Sequence, residues 1–206
     1  MSNEAKTKVD MDPKYLVKLT VTLFVTCVIV AGLLGFVNKL TLPNITAANE
    51  KKTAEAIQKV LPELEGSPVA MELTGDMTAA ASGAGATVTE AYEAQAGGST
   101  IGYALKIVAS GSQGNIEMMV GVDTEGAVTG VSIVKNSETS GIGSKVMTNQ
   151  PTAKGVGVLD QFEGKTAADA PLNVGTNVDA ISGATVSSKG VTTGVNAALA
   201  VAGVIG

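Results

Sequence analysis

The sequence predicts an α+β protein in which a single N-terminal transmembrane helix precedes a domain with an antiparallel sheet flanked by helices. Three observations lead to this prediction. Residues 19–37 contain no charged side chain. Between residues 101 and 135, short segments rich in valine and isoleucine alternate with glycine-containing turns, as in a β-meander. Near the C-terminus, apolar side chains recur at helical spacing over residues 191–202.

The apolar run of residues 19–37 is long enough to cross a membrane. At 1.5 Å per residue it extends about 30 Å, the thickness of a hydrocarbon core. A signal peptide is the alternative, but acidic residues precede the run and no A-x-A cleavage site follows it. The sequence therefore predicts a retained transmembrane helix over residues 19–40, in which Cys27 is a small packing residue.

Lysines on either side of this helix predict its orientation. The nearby lysines before and after it are, in order, Lys6, Lys8, Lys14 and Lys18, and then Lys39, Lys51 and Lys52. This bias predicts a single-pass protein of a bacterial cell membrane, with residues 1–18 in the cytoplasm and the following domain outside it.

Composition excludes several classes of function. The chain has no histidine and one cysteine, which excludes a Ser-His-Asp or Cys-His hydrolase, a disulfide framework and an iron–sulfur ligand set. Residues 41–206 hold nine lysines, sixteen acidic residues and no arginine, and this acidic balance argues against nucleic-acid binding. We therefore predict no catalytic residue and no metal site in this chain.

After the membrane segment, residues 46–61 are predicted to form a helix that a proline ends. Ala54, Ile57 and Leu61 would share one apolar face. Residues 41–72 are accordingly interpreted as a juxtamembrane helical stalk.

Residues 73–98 are rich in alanine and glycine and are interpreted as a linker. The domain proper would then occupy residues 99–206. Its predicted antiparallel strands are residues 102–109, 115–123 and 127–135.

The rest of the domain is predicted as a loop at 136–143, a short helix at 144–149 and an irregular segment at 155–178. Phe162 is the expected apolar anchor of that segment. The final helix would bury one face, formed by Val191, Val195, Ala198, Leu199 and Ala202. Gly190 and Gly194 would allow it to pack closely.

The string DAISGATVSSKG, residues 179–190, lies where this final helix begins. A helix N-terminus offers unpaired N–H groups and a positive dipole end, which suit a phosphate. Thr185 supplies a hydroxyl, and Ser187 and Ser188 supply further donors. From the residues alone, an ordinary helix cap and an attachment site are both open.

Residues 179–187 resemble the flavinylation motif of the FMN-binding domain found in the G subunit of the Rnf complex and in the C subunit of the sodium-pumping NADH:quinone reductase. The resemblance implies that Thr185 carries one FMN through a phosphoester, installed by a flavin transferase that uses FAD. It also implies cofactor-binding roles for Asp179, Ser182, Gly183, Ala184 and Ser187.

A second string, ETSGIG at residues 138–143, is similar to the family's E-T-P-G-L-G loop beside the flavin, with Ser140 and Ile142 as departures. This implies further cofactor-binding roles for Glu138, Thr139, Gly141 and Gly143. Residues 82–87, SGAGAT, repeat most of the letters of the first motif. They lack its spaced aspartate and precede no amphipathic helix, so we predict no flavin there.

The resemblance implies an electron-transfer subunit of a membrane-bound Rnf complex, a translocase that moves electrons between ferredoxin and NAD⁺ and transports Na⁺ or H⁺. Expected partners are Rnf subunits that carry an iron–sulfur centre and a second covalent FMN, the flavin transferase, and membrane lipid. No G-x-G-x-x-G motif is present for NADH. Two alternatives remain. One is the corresponding quinone-reductase subunit, for which this chain is short, and the other is a membrane-anchored non-redox binding protein.

Overall fold

The computed structural model describes residues 13–205, which divide into two compact units with a boundary after Asn49. Helix α1 runs over Pro13–Val60 as one element, and its part up to Asn49 forms the first unit. Of the residues 1–18 predicted to be cytoplasmic, residues 1–12 lie outside the described part and the remainder begin α1. The predicted apolar helix is confirmed, and it is longer than its apolar run.

Helix α1 suits a lipid environment. Among the helices of residues 13–205, α1 is the one that is long and apolar enough to cross a membrane. Its apolar side chains are exposed. The hydroxyls of Thr20, Thr22 and Thr26 donate to backbone carbonyls about one turn earlier at 2.8–2.9 Å. These polar groups therefore need no water as a partner inside a hydrocarbon core.

The last turns of α1 belong to the second unit and pack on the sheet. Thr53, Ile57 and Val60 are buried, whereas Ala54 is exposed, so the predicted apolar face was wrong at Ala54. The carbonyl of Val60 accepts a hydrogen bond from the Thr129 hydroxyl at 2.5 Å. The interpretation of residues 41–72 as a juxtamembrane helical stalk is corrected for its second half, because the sheet covers the helix face that contains Ile57 and Val69–Met71 form a strand.

The sheet has five antiparallel strands in chain order, so the predicted meander of three strands is confirmed and extended by two. Its strands are β1 (Val69–Met71), β2 (Thr87–Ala96), β3 (Ser99–Ser110), β4 (Asn115–Asp123) and β5 (Val128–Lys135). The tight turn between β3 and β4 pairs Ser110 with Asn115. This turn, residues 111–114, lies at the same end of the sheet as the chain that leaves β5.

The interpretation of residues 73–98 as a linker was wrong, because they form helix α2 (Gly75–Gly83) and strand β2. The Thr74 hydroxyl caps α2 by accepting the Met77 N–H at 3.2 Å. The alanines of α2 favour a helix, because alanine has the highest helix propensity. One of them, Ala81, is fully buried in the main core. Small residues here serve close packing rather than chain flexibility.

The last helix, α4 (Thr185–Ile205), packs with α2 on one face of the sheet. Its predicted apolar face is buried apart from Ala202, which is half-buried. A Cβ on Gly190 would lie 2.5 Å from the Ser110 carbonyl oxygen, and one on Gly194 would lie 2.5 Å from the Met118 sulfur. Both glycines therefore permit the close packing that the sequence predicts.

Between β5 and α4 the chain is mostly irregular, as predicted. Helix α3 (Ser144–Met147) is followed by two short 3₁₀ turns, Asp160–Phe162 and Ala167–Asp169. Phe162 is 1% exposed and joins the main core. This anchor holds the long segment against the sheet up to the start of α4.

On the face of the sheet opposite to α2 and α4, three side chains form a hydrogen-bonded cluster across β2 and β3. Glu90 accepts from Lys106 Nζ at 2.7 Å and from the Tyr92 hydroxyl at 2.6 Å. Partial burial and the neighbouring carboxylate raise the pKa of Tyr92 to about 12. Burial opposes ionisation of Glu90, but the hydrogen bonds from Lys106 and Tyr92 outweigh it and lower its pKa.

Candidate functional site

A cavity of about 190 Å³ lies where the loop after β5 meets the N-terminus of α4. Three segments form its walls: the β3–β4 turn, the loop that contains residues 138–143, and residues 183–187. The lining residues are Ser112, Glu138, Thr139, Ile142, Gly143, Gly183, Ala184, Thr185, Val186 and Ser187. The two motifs that the sequence analysis selected thus meet in one place.

The chain turns sharply just before α4. Gly183 has φ +81°, a conformation that glycine adopts without strain. The Ala184 N–H then donates to the Ile181 carbonyl at 2.9 Å, and the Ala184 carbonyl accepts the Ser188 N–H at 2.9 Å. Residues 185–187 therefore form the first turn of α4, where N–H groups and the helix dipole favour an anion.

The hydroxyls around this turn are in different environments. Thr185 is exposed and lines the cavity. Ser187 and Ser188 are each 1% exposed. The Ser187 hydroxyl donates to Glu138 Oε2 at 2.6 Å, and the Ser188 hydroxyl donates to the Ala184 carbonyl at 3.0 Å. Ser182 is exposed but does not line the cavity. Thr185 is therefore the accessible hydroxyl that residues 182–188 present to the cavity.

Glu138 connects the three segments that form the cavity. Its Oε1 accepts the N–H groups of Ser112 at 2.7 Å and Gln113 at 3.3 Å, and its Oε2 accepts the Ser187 hydroxyl. A Cβ on Gly143 would overlap this carboxylate and lie 2.8 Å from Ser187 Oγ. Glycine at position 143 therefore leaves the room that this arrangement needs.

Seven of the ten predicted cofactor-binding residues line the cavity, and the other three do not. The lining residues are Glu138, Thr139, Gly143, Gly183, Ala184, Thr185 and Ser187, and the others are Asp179, Ser182 and Gly141. Gly141 has φ +77° and donates its N–H to Ser144 Oγ at 2.8 Å, which shapes the loop. Lys145 and Lys189, the lysines that lie closest to the two motifs along the chain, do not line the cavity either.

Asp179 faces a different group of residues. Its carboxylate pairs with Lys154 Nζ at 2.8 Å. Its backbone is held twice by the Gln161 side chain, which accepts the Asp179 N–H at 2.7 Å and donates to the Asp179 carbonyl at 2.9 Å. Gln161 and Lys154 therefore hold Asp179 in place, in the segment that leads into the turn before α4.

Sequence reasoning missed three lining residues and the Gln161 support. Ile142 and Val186 are about half exposed, at 52% and 57%, and add apolar surface to the cavity that Thr185 lines. Both residues lie inside the quoted motifs. Their exposure in the structure, rather than their residue type, distinguishes them from apolar residues of the core. Ser112 and Gln161 carry no local signal, because their contacts depend on how distant segments fold together.

The similar string at residues 82–87 has the opposite backbone context. Ser82 and Gly83 end helix α2, and Thr87 begins strand β2. A helix C-terminus carries the negative end of the dipole and does not favour an anion. This position lacks the helix start that residues 182–188 provide.

Comparisons with known proteins identify relatives along nearly the whole chain. An FMN-binding domain family matches residues 111–200. The chain is 34% identical to the G subunit of the Na(+)-translocating ferredoxin:NAD(+) oxidoreductase complex of Acetobacterium woodii, over 96% of this chain and 97% of that protein. It is 30% identical to the G subunit of the ion-translocating oxidoreductase complex of Methanosarcina acetivorans, over 91% and 95%.

Among solved structures, the chain is similar to the C subunit of the Na(+)-translocating NADH-quinone reductase from Parabacteroides distasonis. The TM-score is 0.48 at 18% sequence identity, over 78% of this chain and 93% of that one.

Proposed function

The chain belongs to the family of G subunits of Rnf-type ion-translocating oxidoreductase complexes, and we propose that it relays electrons through an FMN covalently bound to Thr185. It is an electron-transport subunit with an FMN-binding domain. One observation carries the proposal of attachment: Thr185 is exposed and lines a cavity at the first turn of α4.

The residues around Thr185 fit a phosphoester. The first turn of α4 supplies N–H groups and the positive end of a helix dipole. Both oxygens of Glu138, the carboxylate in the cavity wall, are already hydrogen-bonded, which moderates its repulsion of a phosphate. Gly143 keeps a side chain out of the space, and Ile142 and Val186 offer apolar surface to a flavin ring.

Covalent attachment suits a domain with few groups that grip a flavin. Its aromatic residues after position 40 are Tyr92, Tyr103 and Phe162, and it has no arginine. Phe162 is buried in the core and Tyr92 is hydrogen-bonded to Glu90 on the sheet, so neither is free to stack on a ring. A tether makes docking intramolecular, so weak contacts suffice.

Attachment requires a flavin transferase and FAD. The Thr185 Oγ–P bond forms to the phosphorus of the FMN half, the pyrophosphate P–O bond of FAD breaks, AMP leaves, and the hydroxyl proton passes to a base of the transferase. Once bound, FMN supplies one- and two-electron chemistry. The chain's own residues position the phosphoester and set how closely partners approach.

Within the complex, we propose that electrons pass between ferredoxin and NAD⁺ with transport of Na⁺ or H⁺, as the names of relatives indicate for those proteins. Other Rnf subunits would supply an iron–sulfur centre and a second covalent FMN on either side of this flavin. The lysine bias supports a cytoplasmic N-terminus and an extracytoplasmic flavin domain. A reporter fused after the C-terminus should then report an extracytoplasmic location.

Denaturing-gel fluorescence tests the attachment site. The full chain, co-expressed with a flavin transferase, should give a band that fluoresces after denaturation, and Thr185→Ala should abolish it. Thr87→Ala is the matched control, because it alters the similar string at residues 82–87 and should keep full fluorescence. A colourless wild-type protein would instead favour the non-redox binding protein, with Thr185 as a simple cap.

A further inference from the structure

We propose that Glu138 is a positioning residue for flavin attachment, which braces the first turn of α4 so that the Thr185 hydroxyl faces the cavity. It was expected to contact the cofactor, but its hydrogen bonds assign its carboxylate to the protein itself. This inference rests on the proposed attachment of FMN to Thr185.

The brace joins segments that are far apart in the chain. Oε1 holds the β3–β4 turn through the N–H groups of Ser112 and Gln113, and Oε2 holds α4 through the hydroxyl of Ser187. Hydrogen bonds to a charged acceptor are about twice as strong as neutral ones. One side chain thus fixes two walls of the cavity relative to the loop after β5.

The glycines around Glu138 support the same role. A Cβ on Gly111 or on Gly143 would overlap the Glu138 carboxylate. Gly143 is itself buried, and its missing side chain also leaves room for Ser187 Oγ. The chain leaves space for the carboxylate on both sides, which indicates a fitted contact rather than an incidental one.

Ser187 links the brace to Thr185. Successive residues of an α-helix are rotated by about 100°, so fixing Ser187 against Glu138 also fixes the direction of Thr185 two residues earlier. Ser187 is 1% exposed, so water does not compete for this hydrogen bond. Without the brace, the first turn of α4 would lose the contact that orients the reacting hydroxyl.

In the positioning role, Glu138 holds the cavity walls and is not required to take a proton in the attachment step. Its Oε2 already accepts the Ser187 hydroxyl and its Oε1 accepts two N–H groups. A positioning role therefore predicts that losing the charge has only a small effect on the rate, provided that the hydrogen bonds are kept. Glutamine keeps them, because its carbonyl accepts the two N–H groups and its NH₂ donates to the Ser187 oxygen.

The experiment measures the rate of flavin incorporation into the full chain, in detergent, with purified flavin transferase and FAD. The variants are Glu138→Ala, Glu138→Gln, Ser187→Ala and the double variant Glu138→Ala with Ser187→Ala. Glu125→Ala, which removes an exposed carboxylate from the β4–β5 turn, is the matched control. Circular dichroism would test whether each variant is folded. If Glu138→Ala does not fold, the rate of Ser187→Ala tests the inference instead.

We expect Glu138→Ala and Ser187→Ala each to slow incorporation at Thr185 by about tenfold. The double variant should be no slower than Glu138→Ala, because one interaction is lost only once. Glu138→Gln should stay within about threefold of the wild type and keep its pH profile, and Glu125→Ala should match the wild type.

Two results would overturn the inference. One is wild-type rates in both Glu138→Ala and Ser187→Ala. The other is a Glu138→Gln variant as slow as Glu138→Ala with an altered pH profile, which would assign Glu138 to proton transfer. Failure of the proposed function looks different, because then the wild type takes up no flavin or Thr185→Ala still takes it up.

Discussion

Replacing Gly190 by alanine should destabilise the domain, although alanine is the better helix former. The added Cβ would lie 2.5 Å from the backbone oxygen of Ser110 and 3.2 Å from Ile116 Cδ1. A strand carbonyl cannot move aside as a flexible side chain can, so α4 must shift away from β3. That shift would also disturb the first turn of α4, little more than one turn away, and would slow flavin attachment.

The size of the effect follows from two opposed terms. Alanine in place of glycine in a helix interior gains about 1 kcal/mol. Overpacking a tight interface costs about 1–3 kcal/mol, and contact with a backbone atom belongs at the upper end. We therefore expect Gly190→Ala to lower the free energy of unfolding by about 1–2 kcal/mol.

Two other glycines of α4 calibrate this measurement. A Cβ on Gly194 would meet the sulfur and terminal methyl of Met118, which can move, so Gly194→Ala should lie within about 0.5 kcal/mol of the wild type. Nothing lies within 4 Å of a Cβ on Gly203, so Gly203→Ala should be neutral or slightly stabilising. Urea unfolding of the full chain in detergent, followed by far-UV circular dichroism, would measure all three. If Gly190→Ala proved as stable as Gly203→Ala, the close contact of α4 with β3 would be wrong.

Two further predictions concern the surroundings of the site and the opposite face of the sheet. Gln161→Ala should lower the rate of flavin attachment several-fold, because the Gln161 side chain makes two hydrogen bonds to the Asp179 backbone. Lys154→Met should have a smaller effect, because the ion pair of Lys154 with Asp179 is exposed. Equal effects of the two variants in the incorporation assay would contradict this prediction. Tyr92 should titrate near pH 12 in an ultraviolet absorbance titration. Because its pKa is raised on folding, the stability that it contributes is complete below pH 10 and is lost as the pH rises toward 12; a titration near pH 10 in the folded protein would refute the Glu90 hydrogen bond.

The sequence predicted the parts of the fold that local patterns determine. The strands between residues 99 and 135 alternate with tight turns, and α4 repeats apolar residues on one face, so both were recognised. Helix α2 and strand β2 were missed, because their alanines and glycines look like linker residues. Ala81 and Ala94 are fully buried, and only the packed neighbours reveal that small side chains are needed there.

For the site, the sequence motifs predicted which strings come together but not the hydrogen bonds that hold them in place. Glu138 and Ser187, both predicted to bind a cofactor, hydrogen-bond to each other at 2.6 Å. Asp179 was expected in the same group, yet it contacts Lys154 and Gln161. These pairings join residues 18 to 49 positions apart, and no local pattern encodes them.

The mass of one peptide tests the central claim most directly. Cleavage after lysine releases residues 166–189, which contain Thr185 together with Ser182, Ser187 and Ser188. After co-expression with a flavin transferase, we predict that this peptide gains the mass of FMN less one water, and that fragmentation places the addition on Thr185. An unmodified peptide, or an addition on one of the serines, would contradict the account.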